Sequence, residues 1–357
     1  MSQQASCARC QSSEAELVVR AEHLCRECFL KYVATKVLKR LEMGKIRGGF
    51  KELQKTLLLP VSFGVSSTTL IHVLDQQLRN RVQQGRHAGY NLHLLFIDQS
   101  TVIAHMDIGS YIDLLKQRYP SHCFTFISLE DCSSYGVEFK GLLGSNGGRF
   151  QDIVSGMASA TSRADFVEIA RRRLVVAFAK KHACDGILFG DSTTRLAERT
   201  LSETAKGRGI AIPWLTADGS SDGINCIYPM RDLLRKELTA YVGMTTPPLT
   251  SLILESSTRT PSSSKDTTVD GLMSQFFESV EANYPSIVAN VVRTSGRLVA
   301  PSVPEDAQLC SICGQPVFIG SWGGDQQSVT SSQSIDSNGS QIGGARCYGC
   351  ARIVLKR

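Results

Sequence analysis

Eight of the twelve cysteines stand in four Cys-x-x-Cys pairs: Cys7/Cys10, Cys25/Cys28, Cys310/Cys313 and Cys347/Cys350. Two intervening residues let both thiolates of a pair turn onto one cation, and two pairs complete a tetrahedral shell. Fourteen residues separate the N-terminal pairs and thirty-three the C-terminal pairs. Each set is predicted to hold one structural zinc ion, contributing on the order of 10 kcal/mol to the folding of its module. Four thiolates leave no open coordination position, so neither site is expected to do catalysis. An iron–sulfur cluster is the less favoured alternative, and spacing alone leaves open that the two sets share ligands.

A second signal is Ser62-Phe63-Gly64-Val65-Ser66-Ser67, at the first strand-to-helix turn. In parallel α/β folds this turn is where phosphate meets backbone N–H groups and the positive end of a helix. Ser62, Gly64, Ser66 and Ser67 supply hydroxyls and one glycine. A Walker lysine is missing, and Phe63 adds bulk where a phosphate loop needs bare backbone. An ordinary Ser/Thr N-cap is the favoured reading. His72, His93, His105 and His182 each lack a partner readable from sequence and are expected to be packed or surface residues. Cys123 and Cys184 adjoin strands and are expected to be small buried residues. Two of Arg171, Arg172 and Arg173 are expected merely to solvate a helix face.

Charge points elsewhere. The net +6 is unevenly spread: Lys31 to Lys55 carries eight Lys/Arg against Glu42 and Glu52, and Ala345 to Arg357 carries four and no acid. Lys36, Lys39, Arg40, Lys45 and Arg47 are the candidate RNA-binding residues, because such patches attract polyanions. A solvated lysine-rich helix is the competing account.

These residues need positioning elements. The chain is 42% hydrophobic and 20% charged over 357 residues, enough for one large domain plus small modules. No apolar run reaches membrane-spanning length. The start has neither the basic flank nor the apolar centre of a signal peptide, so cytosol or nucleus is expected. There, paired cysteines read as metal ligands rather than disulfides. A basic amphipathic helix is expected from Phe29 to about Glu42. From Leu57 the rhythm becomes strand, loop, helix: strands at Leu57–Val61, Leu92–Ile97, Phe124–Ile127 and Ile187–Phe189, and helices at Leu70–Leu78, Asp107–Tyr119 and Arg163–His182. Alternation of this kind implies a parallel sheet with helices on both faces. Residues 130–160 read as an inserted loop, Gly271–Ala289 as one helix, and Gly323–Gly344 as a disordered loop of the C-terminal metal module.

Three segments together carry a family resemblance. They are Pro60–Ser67, Leu188-Phe-Gly-Asp-Ser-Thr-Thr-Arg-Leu-Ala-Glu198, and Tyr228-Pro-Met-Arg-Asp-Leu-Leu-Arg-Lys-Glu237. With the cysteine pairs and the basic helix, they make nearly the whole chain resemble the cytoplasmic tRNA 2-thiolation protein 2 family. That family is the partner of an ATP-dependent thiolase of the PP-loop class. The resemblance implies an α/β, parallel-sheet PP-loop domain, adenine nucleotide alpha hydrolase-like, with small cysteine-rich zinc modules at both ends. It divides the chain into a zinc knuckle plus basic helix (1–45), a degenerate PP-loop domain (46–244), a Ser/Thr/Pro-rich linker (245–270), and a helix plus zinc module (271–357) with its loop at 323–344.

Active PP-loop enzymes carry Ser-Gly-Gly-x-Asp-Ser at the phosphate turn. Ser62, Gly64 and Ser67 match, Phe63 replaces a glycine, and Ser66 replaces the aspartate. Active relatives also carry a Gly-His-x-x-Asp-Asp-x-x-Glu-like segment. Gly190 and Glu198 fit it, but Asp191 stands for the histidine, and Thr194 and Arg195 for the two acids. Their cysteine pair before the long helix reads Thr161–Asp165 here. Adenylation needs acids for Mg²⁺ and bare backbone for pyrophosphate, and sulfur transfer needs an activated thiolate. Hence no catalytic residue is expected and ATP binding is in doubt. The resemblance implies a subunit that binds tRNA and an active thiolase, with sulfur from a ubiquitin-related carrier, in the cytoplasm and off the membrane. An active divergent sulfurtransferase, or a zinc-module protein scaffold unrelated to RNA, are the alternatives.

Overall fold

The computed structural model describes residues 5–43, 55–100, 102, 108–139, 142, 149–254, 267–304, 306–318, 334–335, 341–342 and 344–354. An N-terminal hairpin of β1 (Leu17–Val19) and β2 (Glu22–Leu24) leads into α1 (Arg26–Met43). Then come β3 (Lys55–Val61), α2 (Val65–Gln83), β4 (Tyr90–Asp98), α3 (Gly109–Arg118), β5 (Cys123–Ser128), α4 (Phe150–Ser155), α5 (Ala160–Lys181), β6 (Gly186–Leu188) and α6 (Thr193–Ala205). After these follow α7 (Ile212–Thr216), β7 (Gly219–Ser221), β8 (Ile224–Ile227), α8 (Arg235–Met244), α9 (Val269–Asn283), α10 (Pro285–Ser295), the two-residue strands β9 (Ser334–Ile335) and β10 (Gln341–Ile342), and α11 (Tyr348–Val354).

The main sheet runs β5-β4-β3-β6-β8-β7. Its first five strands are parallel, and the edge strand β7 departs from the all-parallel expectation by pairing antiparallel with β8. The central strands are buried on both faces: Leu57, Leu58 and Leu59 are fully inside, as are Ile187 and Leu188. Continuous apolar runs are what a doubly covered parallel sheet requires. One face packs under α5 through Phe166, Ala170, Leu174 and Phe178. The other packs under α1, α2 and α8 through Val33, Val37, Leu70, Leu74, Leu238 and Val242.

Several elements differ from the sequence expectations. Residues 129–135 form a 3-10 turn, and Phe139 and Phe150 pack on Phe166 with ring centroids 4.7 and 5.2 Å away. Aromatic burial thus orders a stretch whose composition reads as loop. The helix expected at 271–289 is two helices, because Pro285 has no N–H to continue α9 and opens α10 instead. Leu249 and Leu252, inside the expected linker, are buried in the core, and Arg118 bonds the carbonyls of Pro247 and Pro248 at 2.8 and 3.1 Å. Residues 255–266 lie outside the described residues, as does most of the 323–344 loop. Cys184 is buried, but Cys123 is exposed because it opens an edge strand. His72 bonds Tyr119 Oη at 3.0 Å, His93 bonds Thr125 Oγ1 at 2.8 Å, and His182 stacks on Phe178; His105 lies outside the described residues.

Candidate functional site: a crevice at the sheet switch point and two four-cysteine groups

Strand order reverses on either side of β3, so the crevice above β3 and β6 is the topological switch point where such folds bind ligands. Two loops meet there, Ser62–Gly64 and Phe189–Ser192. Gly190 permits the approach: a Cβ on it would lie 3.2 Å from Ser67 Cα. The phosphate turn is folded in on itself. Ser62 Oγ lies 3.2 Å from Ser67 Oγ, and Ser67 donates to the Gly64 carbonyl at 3.3 Å. Ser67 is buried, while Gly64 and Ser66 are half-buried and Ser62 is exposed. Phe63 holds a left-handed φ of 54° although it is not glycine, and its ring is fully buried beside Phe96 (5.4 Å) and Tyr111 (6.0 Å). Its carbonyl accepts a 2.8 Å bond from Leu254 N–H, so the chain after α8 crosses the turn.

The carboxylates at this crevice are already matched. Asp191 binds Arg199 at 2.6 Å. Glu198, 1% exposed, binds Arg195 at 3.1 Å and Arg235 at 3.0 Å, and accepts from Ser274 of α9 at 3.2 Å. Thr194 gives its hydroxyl hydrogen to Glu281 of α9 and accepts from Arg235 N–H at 2.9 Å. Burial pushes the Glu168 carboxyl up, but Arg171 and Arg199 overcome that and hold it well below the usual carboxylate range. Asp98 is turned back onto Ser100, at 2.9 Å to its N–H and 2.8 Å to its hydroxyl. At Thr161–Asp165, the buried Asp165 is gripped by Lys206 at 2.9 Å and by both Arg208 nitrogens at 2.5 and 2.7 Å. Glu203 and Asp270 complete that network.

The cysteines converge as two separate groups, Cys7/Cys10/Cys25/Cys28 and Cys310/Cys313/Cys347/Cys350, each with its four sulfurs within 4.8 Å of one another. No ligand is shared between the groups. Cys10–Cys25 and Cys313–Cys347 are 3.8 and 3.9 Å apart. The edge of a tetrahedron of sulfurs around one ion is about 3.8 Å for metal–sulfur bonds of about 2.3 Å. The donor set therefore fits a single four-coordinate ion at each end. In the N-terminal group the Ser12 hydroxyl and N–H draw the Cys10 thiol down to about 5, whereas burial and the neighbouring thiols push Cys28 up to about 12. The hairpin and the start of α1, which carry this group, are fastened to α8 and the turn before it: Arg20 reaches Glu237 at 3.0 Å and the Asp232 carbonyl at 2.7 Å, and Arg26 reaches the Met244 carbonyl at 2.6 Å. The C-terminal group lies inside the main core, where Cys310, Ile312, Cys350 and Ile353 join α5. Its Tyr348-Gly349 edge packs on the Lys206–Arg208 turn so closely that a Cβ on Gly349 would lie 2.7 Å from the Lys206 carbonyl.

The sequence profile of the family cytoplasmic tRNA 2-thiolation protein 2 matches residues 268–352. Curated members from Phaeosphaeria nodorum and Coccidioides immitis are 40% and 35% identical; the alignments cover 98% of this chain and 95% and 97% of those proteins. A member from Sclerotinia sclerotiorum is 42% identical over 80% of this chain and 81% of its own length. This chain belongs to the cytoplasmic tRNA 2-thiolation protein 2 family. Its fold is that of the U34-tRNA thiolase NcsA of Methanococcus maripaludis, solved with its [4Fe-4S] cluster. That likeness has a TM-score of 0.62 at 17% identity, covering 88% of this chain and 93% of that one. The domain is thus PP-loop-like, and this tRNA 2-thiolation family member carries thiolate groups at both ends of it.

On the same family member, α1 turns Phe29, Val33, Val37 and Leu41 inward. Lys39 is exposed, and Lys36 lies over the Tyr32 ring at 5.7 Å. Arg40 is held by Asp218 at 2.7 Å, which sets it apart from those two cations. Lys45 and Arg47 fall outside the described residues. The three arginines of α5 are all engaged: Arg171 with Glu168, Arg172 with the Trp214 carbonyl and Tyr228 Oη, and Arg173 with three carbonyls. Sequence reading missed Glu281, Lys206, Arg208 and Arg20. The separations |i−j| of 87, 41, 43 and 217 between these residues and their partners leave no local signal. Among the described residues no helix is long and apolar enough to cross a membrane.

Proposed function

We propose that this chain is the non-catalytic subunit of a cytoplasmic complex that 2-thiolates the wobble uridine of tRNAs. It would contribute tRNA binding and a scaffold to an active PP-loop thiolase, which takes sulfur from a ubiquitin-related carrier. The observation that carries the reading is the closed crevice. Phe63 replaces bare backbone at the turn and its carbonyl is taken by Leu254 N–H, Ser62 and Ser67 are turned onto each other, and Asp191 and Glu198 are each neutralised by arginine. Mg²⁺ needs carboxylate oxygens that are not already committed. A thiolate poised for sulfur transfer needs exposure and activation, whereas Asp165, in a buried ion network, stands in the stretch that the resemblance matches to the thiolases' cysteine pair.

Zinc is the ion the two thiolate groups would hold. Their sulfurs are as close as one tetrahedral ion demands, whereas a cluster sets each thiolate on a different iron and spreads them. Closed four-thiolate shells fold the ends and supply no reacting atom. Lys36 and Lys39, with Lys45 and Arg47 beyond them, would meet tRNA phosphate, which gives affinity rather than sequence readout.

The test is reconstitution. The isolated chain should show no ATP/pyrophosphate exchange and no tRNA thiolation, and should restore thiolation to an extract lacking it only when a PP-loop thiolase is present. Exchange by the chain alone, abolished by changing Ser67 or Gly64, would favour the competing reading of an enzyme in its own right.

A further inference from the structure

The third arginine of α5 has a chemical position its neighbours lack. Arg173 Nη1 donates to the carbonyls of Ile312 at 2.9 Å and Ser311 at 3.3 Å, the two residues between Cys310 and Cys313. It also holds the Glu138 carbonyl at 2.9 Å, and its guanidinium lies 5.0 Å above the Phe139 ring. Arg173 thus caps the Cys310–Cys313 turn from its carbonyl side. Four thiolates around a divalent ion carry a net charge of about −2, which a half-buried site must offset. Arg9, inside the N-terminal Cys7–Cys10 turn, is instead held by Glu22 at 3.0 Å.

We propose that Arg173 is the outer-sphere cation of the C-terminal metal centre, seated on the Ser311 and Ile312 carbonyls of the Cys310–Cys313 turn. It is a positioning residue. It fixes the turn by its carbonyls, and its charge offsets the negative charge that four thiolates carry around a divalent ion. Groups of this kind hold metal affinity to within about 10–100-fold. The inference rests on the C-terminal group holding a metal, not on the role in tRNA modification.

The full-length chain carrying Cys25→Ser isolates the C-terminal site. In that background, Arg173→Met should release zinc to a chromogenic chelator about 10–100-fold faster. Loaded with Co²⁺, the same variant should show its sulfur-to-metal charge-transfer band at longer wavelength, because a thiolate with less positive charge near it gives up an electron more easily. Arg173→Lys, which keeps the charge and loses the fork, should fall between. Wild-type release and band position in a folded Arg173→Met protein overturn the proposal; if that variant does not fold, the same result in Arg173→Lys does so. Faster release with an unmoved band reduces Arg173 to a mechanical brace and also overturns it. A Cys25→Ser chain that binds no metal at all would instead sink the assignment of the C-terminal site itself.

Discussion

Phe63 offers the sharpest test of the closed crevice, because two effects there have opposite signs. Its ring is fully buried against Phe96 and Tyr111, and truncating such a side chain to alanine costs about 3–5 kcal/mol. Its φ of 54° is left-handed, which costs a residue with a Cβ roughly 1–2 kcal/mol. Phe63→Ala loses the ring and keeps the backbone cost. Phe63→Gly loses the ring and removes that cost, at the expense of about 0.5–1 kcal/mol of extra chain entropy. The glycine variant should therefore be the more stable of the two by up to about 1 kcal/mol, the reverse of the usual order at a site with negative φ. Chemical denaturation of both variants, metal-loaded and side by side, gives the ranking. Alanine equal to or above glycine would refute the claim that the turn is held in this conformation against its own preference. The pair also bears on function. Neither variant should gain ATP/pyrophosphate exchange, because Arg195, Arg235 and Arg199 still hold the crevice carboxylates.

Cys25→Ser and Cys347→Ser should each lose one equivalent of metal by elemental analysis. The second should lower the main unfolding transition further, since Cys310 and Cys350 are core residues beside α5. Asp165→Ala leaves Lys206 and Arg208 buried without their shared carboxylate and should destabilise by about 3–5 kcal/mol in denaturant titrations. Burial pushes the Glu203 carboxyl up, but the hydrogen bonds and charges of Arg208 and Lys206 outweigh it and hold its pKa below the ordinary 4.5. Its stabilisation is present above that ordinary value and lost as pH falls through the depressed one, so unfolding free energy should decline below about pH 4.5. Glu203→Gln should flatten that decline. Lys36→Glu with Lys39→Glu should weaken tRNA binding and make its salt slope shallower by about 2 without changing metal content. Arg40 is left intact in that pair because Asp218 depends on it.

Much of this molecule was readable in its residues, and the limits have physical causes. Leu57–Val61, Leu92–Ile97 and Ile187–Phe189 stand out as strands because a doubly covered sheet needs unbroken apolar runs, and they are β3, β4 and β6 to within a few residues. The cysteine spacings identified both thiolate groups, since metal geometry is written locally in Cys-x-x-Cys. The short β8 and the helix α6 went unread. Much of the burial in α6 falls on Thr194, Glu198 and Glu203, polar residues whose partners come from α8, α9 and the Arg208 turn. Periodicity reports apolar faces and is blind to a face buried through ion pairs. Arg40 shows the converse: a cation in a basic run looks free until Asp218, distant in sequence, is found beside it.

That polar burial bears on what a single acid placed in the crevice would do. An acid in place of Arg195 would put a carboxylate beside Glu198, which is 1% exposed. Glu198 would keep only Arg235 and Ser274, and two carboxylates in one buried site cannot both ionise cheaply. Thr194 is tied to Glu281, so a second acid there would face a third carboxylate. Each such acid taken alone therefore adds repulsion without a cation to relieve it. Arg195, Arg199 and Arg235 already balance the crevice carboxylates. Arg195→Asp alone should therefore lower stability and leave nucleotide binding undetectable; tight Mg²⁺-dependent ATP binding by that variant would show that the crevice is only one residue away from function.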